Sequence, residues 1–366
     1  MQKLSIEYRI KLRRVLLIML AWALVAILMT VYERSAALSR IMQQGSTGFD
    51  FPTTLAFNLG AALMGGLMGG SFLVFFVNVK YRDRPYGWTV LAVAASFVVV
   101  ISLIILTMGG AAALWAARGD PERAGLVFRA IVGDSLHLKN IVFWAPVVML
   151  TQFTLQISDK FGPGVLWHFL SGRYNVPRSE ERIFMFADLK GSTAIAERLG
   201  NQRYHLFLRD YFADLTDPIQ YSQGEIYQYV GDEVIVSWQT ANGLADSQCL
   251  RCFFAMQQAL AARADRYIAR YGLAPTFKAG MHIGAVIAGE IGIIKRDITY
   301  SGDILNTTAR IQGMCNEQGV DLLCSQDLLR LLPADRQFIQ ISRGAIELRG
   351  KGAPVKVGTV RMAAAA

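Results

Sequence analysis

Hydrophobic residues are spread unevenly along the chain. Up to Ile157 they gather in four nearly unbroken runs, roughly Val15–Tyr32, Leu55–Val77, Thr89–Met108 and Leu138–Ile157. Each approaches or exceeds the ~20 residues with which a helix crosses a hydrocarbon core. The stretch LAVAASFVVVISLIILTM has no charged face that could meet water. No small-residue cleavage site follows the first run, so it reads as a retained span.

Beyond Glu181 the pattern changes to short runs with strand alternation and helical periodicity by turns. It predicts strands at Arg182–Ala187, Glu225–Val230, Val234–Trp238, Thr276–Ile287, Asp297–Tyr300, Asp321–Cys324 and Phe338–Leu348. Helices are predicted at Ser192–Leu199, Arg203–Asp214, Ala245–Tyr271, Ile304–Asn316 and Gln326–Leu331. Strand, two helices, hairpin, long helix and strand describe an α+β domain, its antiparallel-rich sheet carrying helices on one face. Between the halves lies DKFGPGVLWHFLSGRYNVPRSEE, punctuated by Gly162, Pro163, Gly164 and Pro177. The expected organisation is a four-helix transmembrane domain (1–158), a partly helical connector (159–180) and a soluble domain (181–361).

Composition refines this picture. The 366-residue chain is 53% hydrophobic and carries a formal charge of +9. Lys3, Arg9, Lys11, Arg13 and Arg14 precede the first run, and Lys80, Arg82 and Arg84 crowd the second loop. The other loops mix both signs. The bias places both termini on the cytoplasmic side of a multi-pass inner-membrane protein. No basic patch interleaved with aromatics asks for nucleic acid. Gly65 with Gly69 and Gly66 with Gly70 allow close helix approach, within the chain or in a dimer. Asn58 suits a helix-to-helix hydrogen bond. The spans carry little charge and no polar constellation, so they read as an anchor in membrane lipid. Cys249 and Cys252 fall on one apolar helical face, and Cys315 and Cys324 read as buried thiols; no second ligand pair suggests zinc.

Candidate chemistry begins in RIFMFADLKGST. An apolar strand delivers Asp188 to a turn whose Gly191, Ser192 and Thr193 lead into a helix, where free N–H groups suit a polyphosphate. In EIYQYVGDEVIVSW, two strand patterns flank Gly231-Asp232, a tight hairpin signal. Two carboxylates at strand ends can hold hard divalent cations, with Mg²⁺ favoured when phosphates complete the shell. In YSGDILNTTARIQGM, Asn306 and Arg310 are four apart on a helix and share a side. Arg310 offers a rigid fork for phosphate. His282 and His205 fit packing and surface roles, and His168 has no metal-like companion.

Taken in order, FADLKGST, YVGDEV, GMHIGAVIAGEIG, YSGDILNTTAR and LRGKG resemble the catalytic domain of the class III nucleotidyl cyclases, over essentially all of 181–361. The resemblance implies a ferredoxin-like α+β fold acting as a head-to-tail homodimer, with two Mg²⁺ or Mn²⁺ ions per site and a nucleoside triphosphate substrate. Asp188 and Asp232 match the metal-binding aspartates, Asn306 the ribose-orienting residue, and Arg310 the residue that stabilises the pentavalent phosphorus. Either Arg349 or Lys351 matches a triphosphate-binding lysine. The metal pair and the Asn–Arg pair of one site would come from different protomers. Purine choice falls to Gln228 and Thr299. The threonine fits the adenine-selective subgroup, whereas Gln228 stands where a lysine is common and can donate or accept. ATP is the favoured substrate. The alternatives are a guanylyl or pyrimidine cyclase, or an inactive cyclase-like signalling module.

Overall fold

The computed structural model describes residues 6–44, 50–77, 80–81, 86–118, 120–133, 136–161, 171–294, 296–347 and 354–363. The chain divides into two compact units, Met1–Leu166 and Trp167–Ala366.

The first unit is helical: α1 (Ile6–Gln44), α2 (Phe51–Phe72), α3 (Tyr86–Ala117), α4 (Pro121–Val132) and α5 (Leu136–Phe161). Among the described residues four segments are long and apolar enough to cross a membrane: Lys11–Ser35, Phe51–Val77, Gly87–Ala117 and Lys139–Ser158. The short α4 was not anticipated; Asp120 caps it by accepting from the backbone of Glu122 and Arg123. Packing between α1 and α2 shows what the small residues do. A Cβ added at Gly66 would lie 2.9 Å from Met19 Cα, so side chain there would separate the two helices. The glycines thus serve packing inside the chain. Asn58 on α2 donates to Thr30 Oγ1 at 3.0 Å on α1, the interhelical bond expected of it.

The second unit starts with β1 (Arg178–Leu189), α6 (Ser192–Tyr221), β2 (Glu225–Val230) and β3 (Glu233–Gln239). After the short α7 (Thr240–Leu244) come α8 (Gln248–Ala261), α9 (Ala264–Tyr271), β4 (Phe277–Ile291) and β5 (Asp297–Ser301). The chain continues through α10 (Asp303–Gly313), β6 (Leu322–Ser325), α11 (Gln326–Leu331), β7 (Phe338–Ile346) and β8 (Val355–Met362). Strand order is β2-β3-β1-β4-β6-β8-β7, with β5 pairing β4. The β4-β1-β3-β2 portion is antiparallel and is connected as βαββαβ, the ferredoxin-like arrangement.

Alternation along β1 assigns its two faces. Ile183, Met185, Ala187 and Leu189 enter the main core beneath α6 and α8, with Phe207, Tyr211, Phe253 and Met256. Phe184 and Phe186 lie on the opposite face with Ile304 of α10, Val286 and Ile235. Helices therefore cover both faces, not one, because β1 is apolar at successive positions rather than at alternate ones. Two further expectations change. The long helix over Ala245–Tyr271 breaks: Asp246 and Ser247 adopt positive φ before α8, and Ala262–Arg263 separate α8 from α9. The two helices expected from Ser192 are present, separated within Ser192–Tyr221 by a non-helical residue, Gly200, at φ 70° and ψ 162°. An additional strand, β8, pairs with β7.

Candidate active site

Asp188 lies at the end of β1, on the face that carries α10. Its cross-strand partners are Glu233 on β3 and Lys278 on β4. Lys278 Nζ stands 3.6 Å from Asp188 Oδ2, and the Gln312 amide on α10 donates to the same oxygen at 3.1 Å. Even so, the Asp188 carboxyl is pushed above its ordinary range. Burial is the main cause, followed by the charge and side-chain contact of Asp232; Lys278 and Gln312 only partly offset them. Asp232 sits in the two-residue β2–β3 turn behind Gly231, φ 63°. Its Oδ2 is buried without a hydrogen-bond partner among the described residues. Glu233 is pushed up to about 7 by burial and then by both aspartates. Tyr204 and Tyr211 are raised by the same sequence of causes.

A buried carboxylate oxygen with no donor, set against a second carboxylate, is costly unless a cation or proton balances it. The donor set fits a hard divalent cation. Among the described residues no group of three His, Cys, Asp or Glu side chains is placed to hold a metal ion by itself. The chain thus offers two carboxylates, and a cation held there would take its other oxygens from elsewhere, as Mg²⁺ sites built with substrate phosphates do.

Beside this pair, α6 begins without a side-chain cap. Gly191 takes φ 67°, the left-handed region that favours glycine, and hands the chain to Ser192 and Thr193. The uncapped first turn presents backbone N–H groups and the positive end of the helix that runs from Ser192 to the break at Gly200.

On α10, Ile304, Thr307, Thr308, Ile311 and Gln312 are buried. Asn306 is exposed and Arg310 half-buried. Neither side chain has a hydrogen bond or ion pair among the described residues, so within one chain the Asn–Arg pair does not contact the aspartates. The same helix reaches Asp188 through Gln312 instead.

Gln228 is exposed on β2 beside a bulge between Ile226 and Gln228. Thr299 is on β5, its hydroxyl 3.4 Å from the Gly289 carbonyl oxygen. Their sequence neighbours meet: the Tyr227 and Tyr300 rings lie 4.9 Å apart, and Tyr300 N donates to Tyr227 Oη at 3.3 Å. Below them the buried Arg182 stacks on Tyr300 at 4.7 Å and pairs with Glu180 at 2.9 Å and Glu225 at 2.7 Å. The strands bearing the two base-reading candidates are thereby fastened together. Arg349 and Lys351 lie outside the described residues, as does His168.

The family described as "Adenylate and Guanylate cyclase catalytic domain" matches residues 175–360. The chain belongs to that family. It is 39% identical over 239 residues to Adenylate cyclase 2 of Rhizobium meliloti (strain 1021), covering 64% of this chain and 65% of the relative. It is 27% identical over 184 residues to an adenylate cyclase of Anabaena cylindrica, covering 48% of this chain and 36% of that one. The match thus spans less than two thirds of either relative. Among solved structures, a bacterial light-regulated adenylyl cyclase aligns at TM-score 0.50 and 23% identity, covering 60% of this chain and 65% of that one. That likeness speaks for the fold alone.

Within the cyclase domain, sequence reasoning missed Gln312, Lys278 and Glu233. Only the strand register and the seating of α10 bring them to Asp188, although Glu233 directly follows Asp232. His282 makes an interior contact, Nδ1 to Ser325 Oγ at 2.8 Å, and His205 is exposed. All four cysteines are buried and free. Burial pushes Cys249 and Cys315 up to about 12, which suits inert thiols.

Proposed function

We propose that the protein is a membrane-anchored adenylate cyclase that converts ATP to 3′,5′-cyclic AMP and pyrophosphate as a homodimer. Its catalytic domain (181–361) would lie on the cytoplasmic side of the inner membrane, with 1–158 as membrane domain and 159–180 as connector. The observation that carries the reading is the buried, unpartnered Asp232 oxygen set against Asp188, beside the uncapped start of α6. Two adenylate cyclase relatives and the loop charge bias add support.

In the reaction the ribose 3′-oxygen bonds to the α-phosphorus, its proton leaves, and the bond to the pyrophosphate oxygen breaks. Asp188 and Asp232 would hold Mg²⁺ or Mn²⁺, which when bound lowers the 3′-hydroxyl pKa and offsets phosphate charge. Gly191, Ser192 and Thr193 receive phosphate oxygens at the helix start. Asn306 orients the ribose, and Arg310 donates where negative charge builds on phosphorus, a contribution of about 3–4 kcal/mol for a well-placed donor. Arg349 or Lys351 steadies the triphosphate. Because Asn306 and Arg310 do not meet the aspartates within one chain, the site is completed by a second copy. The β4–β5 hairpin tip favours such a partner: Ile293 and Ile294 are 94% and 104% exposed.

Incubating the purified chain with each nucleoside triphosphate and Mg²⁺ or Mn²⁺, then identifying products by mass, tests the proposal. Cyclic AMP is expected, and Asp232→Asn should abolish it while leaving the oligomer intact. No cyclic product with either metal would refute it. Gln228 favours one second reading, a cyclase with relaxed base choice, because its amide can face either purine edge. Comparable cyclic AMP and cyclic GMP yields in the same assay would select it.

A further inference from the structure

The membrane unit holds a cavity of about 110 Å³ walled by α1, α2, α3 and α5. Most of its wall is apolar, and Trp22, Trp144 and Phe97 supply aromatic faces. Trp22 Nε1 is already satisfied by Thr151 Oγ1 at 2.9 Å, which leaves its ring for packing. Two carboxamides also line the space, Asn58 and Asn140. Asn58 Nδ2 donates to Thr30 and, at 3.4 Å, to Glu33, while its Oδ1 accepts nothing among the described residues. The Asn140 amide has no partner there at all. Glu33 in turn pairs with Lys139, the neighbour of Asn140, so both amides gather at one end of the cavity. The opposite end, at Leu73, Phe97 and Val148, has no comparable group; Ser96 nearby spends its hydroxyl on the Val93 carbonyl at 2.8 Å.

This arrangement is more than the charge-poor anchor the sequence suggests. Glu33, Asn58 and Lys139 lie on three helices, and only folding brings them together. The space is partly open rather than sealed, and a closed apolar cavity of about 150 Å³ is already large enough to take benzene. Here unsatisfied amide atoms sit at one end and aromatic walls line the space.

We propose that this cavity is a binding site for a small neutral amphiphile: a single ring or short alkyl body with one hydroxyl, the hydroxyl at Asn58 and Asn140 and the body along Trp22 and Trp144. The site is separate from the cyclase chemistry and does not depend on it.

The test uses the full chain in phosphatidylcholine nanodiscs, with 4-fluorophenol and fluorobenzene as probes read by ¹⁹F NMR. Empty nanodiscs give the lipid-partition background. Saturable binding of 4-fluorophenol is expected, with fluorobenzene about five- to tenfold weaker for want of the hydrogen bond. Ala61→Phe, which fills the cavity, should remove saturation for both. Asn140→Leu should weaken 4-fluorophenol and leave fluorobenzene unchanged, which keeps the test decisive should the filled variant not fold. Purely non-saturable partition in the wild type, or full 4-fluorophenol affinity in Asn140→Leu, would overturn the proposal.

Discussion

Gln312 donates from α10 to Asp188 Oδ2 on β1 at 3.1 Å, so the helix that presents Asn306 and Arg310 is tied to one member of the Asp188–Asp232 pair in its own chain. Arg310 and Gln312 are two residues apart, which sends them to different sides of the helix. One faces inward to the acidic pair and the other faces out. In the proposed dimer a single helix would steady one site while serving another.

That helix is seated on Gly280. A Cβ there would stand 2.4 Å from Gln312 N and 2.7 Å from its Cα, both backbone atoms that cannot turn aside. Gly280→Ala must lift α10 from β4, and overpacking of this kind costs about 1–3 kcal/mol. We expect a lower melting temperature and a large loss of turnover in the same variant. Gly284→Ala, whose Cβ would make an ordinary 3.4 Å contact with Ile304, is the control that should keep both. Equal behaviour of the two variants would show that α10 is not positioned this way.

The acidic pair should leave a signature in the pH dependence of stability. Glu233, opposite Asp188, has its carboxyl raised from 4.5 to about 7. The folded protein thus keeps a proton that the unfolded chain has lost, and stability falls as pH rises through that window. The full shift would correspond to ~3 kcal/mol, but the group is only half-buried, and solvent screening brings it to about 1–2 kcal/mol. In chelator, Glu233→Gln should flatten the decline between pH 4.5 and 7 and melt a few degrees higher at pH 8. At pH 4 it should gain nothing. Thermal denaturation across pH checks this, and an unchanged slope would argue against it.

Much of the candidate site's placement in the fold was legible in the sequence because its motifs are local. Asp188 ends an apolar strand, Asp232 occupies a hairpin turn, and β2 has the predicted bounds Glu225–Val230. Other features were not legible. Lys278 and Glu233 reach Asp188 through strand register, and Gln312 does so through helix seating, neither of which a linear pattern encodes. The two-sided burial of β1 hid the position of α10. The break at Asp246–Ser247 arises from two positive-φ residues that no glycine announces. Strand β8 was passed over because Lys356, Gly358 and Arg361 dilute its apolar alternation; it forms by pairing with β7.

Arg182 is the buried charge on which Tyr300, ring partner of Tyr227, rests. Its side chain is 1% exposed, with Glu180 on one nitrogen and both Glu225 and Ser237 on another. Burial alone would raise Glu180, yet its hydrogen bond and ion pair with Arg182 hold it below the ordinary range. Arg182→Ala strips the poorly solvated Glu180 carboxylate of its nearer cation and leaves it Arg173 at 3.2 Å. Breaking a buried pair this way costs about 3–5 kcal/mol, and we expect the lower end because the Glu225 side chain, 45% exposed, can turn to water. Glu225→Ala should cost less than Arg182→Ala for the same reason. Melting curves of the two variants decide the ranking, and the reverse order would contradict it.

Gln228 is where base choice is expected to be most open to change. It is exposed on β2 next to a bulge, while Tyr227 beside it is held against Tyr300, the neighbour of Thr299. The backbone at this position is thus fixed by Tyr227 and the Arg182 cluster, and the Gln228 side chain can be exchanged without disturbing it. A lysine there carries only donors, whereas the glutamine amide can present either a donor or an acceptor. Adenine N1 accepts a hydrogen bond and guanine N1–H donates one, so lysine satisfies the first and leaves the second facing a like donor. Gln228→Lys should therefore raise the ratio of kcat/KM for ATP over GTP by about tenfold, the worth of one well-formed hydrogen bond against an unpaired one. Its melting temperature should stay close to that of the wild type. Competition assays with both nucleotides present, resolved by product mass, measure the ratio directly. A ratio that does not move would place base recognition elsewhere.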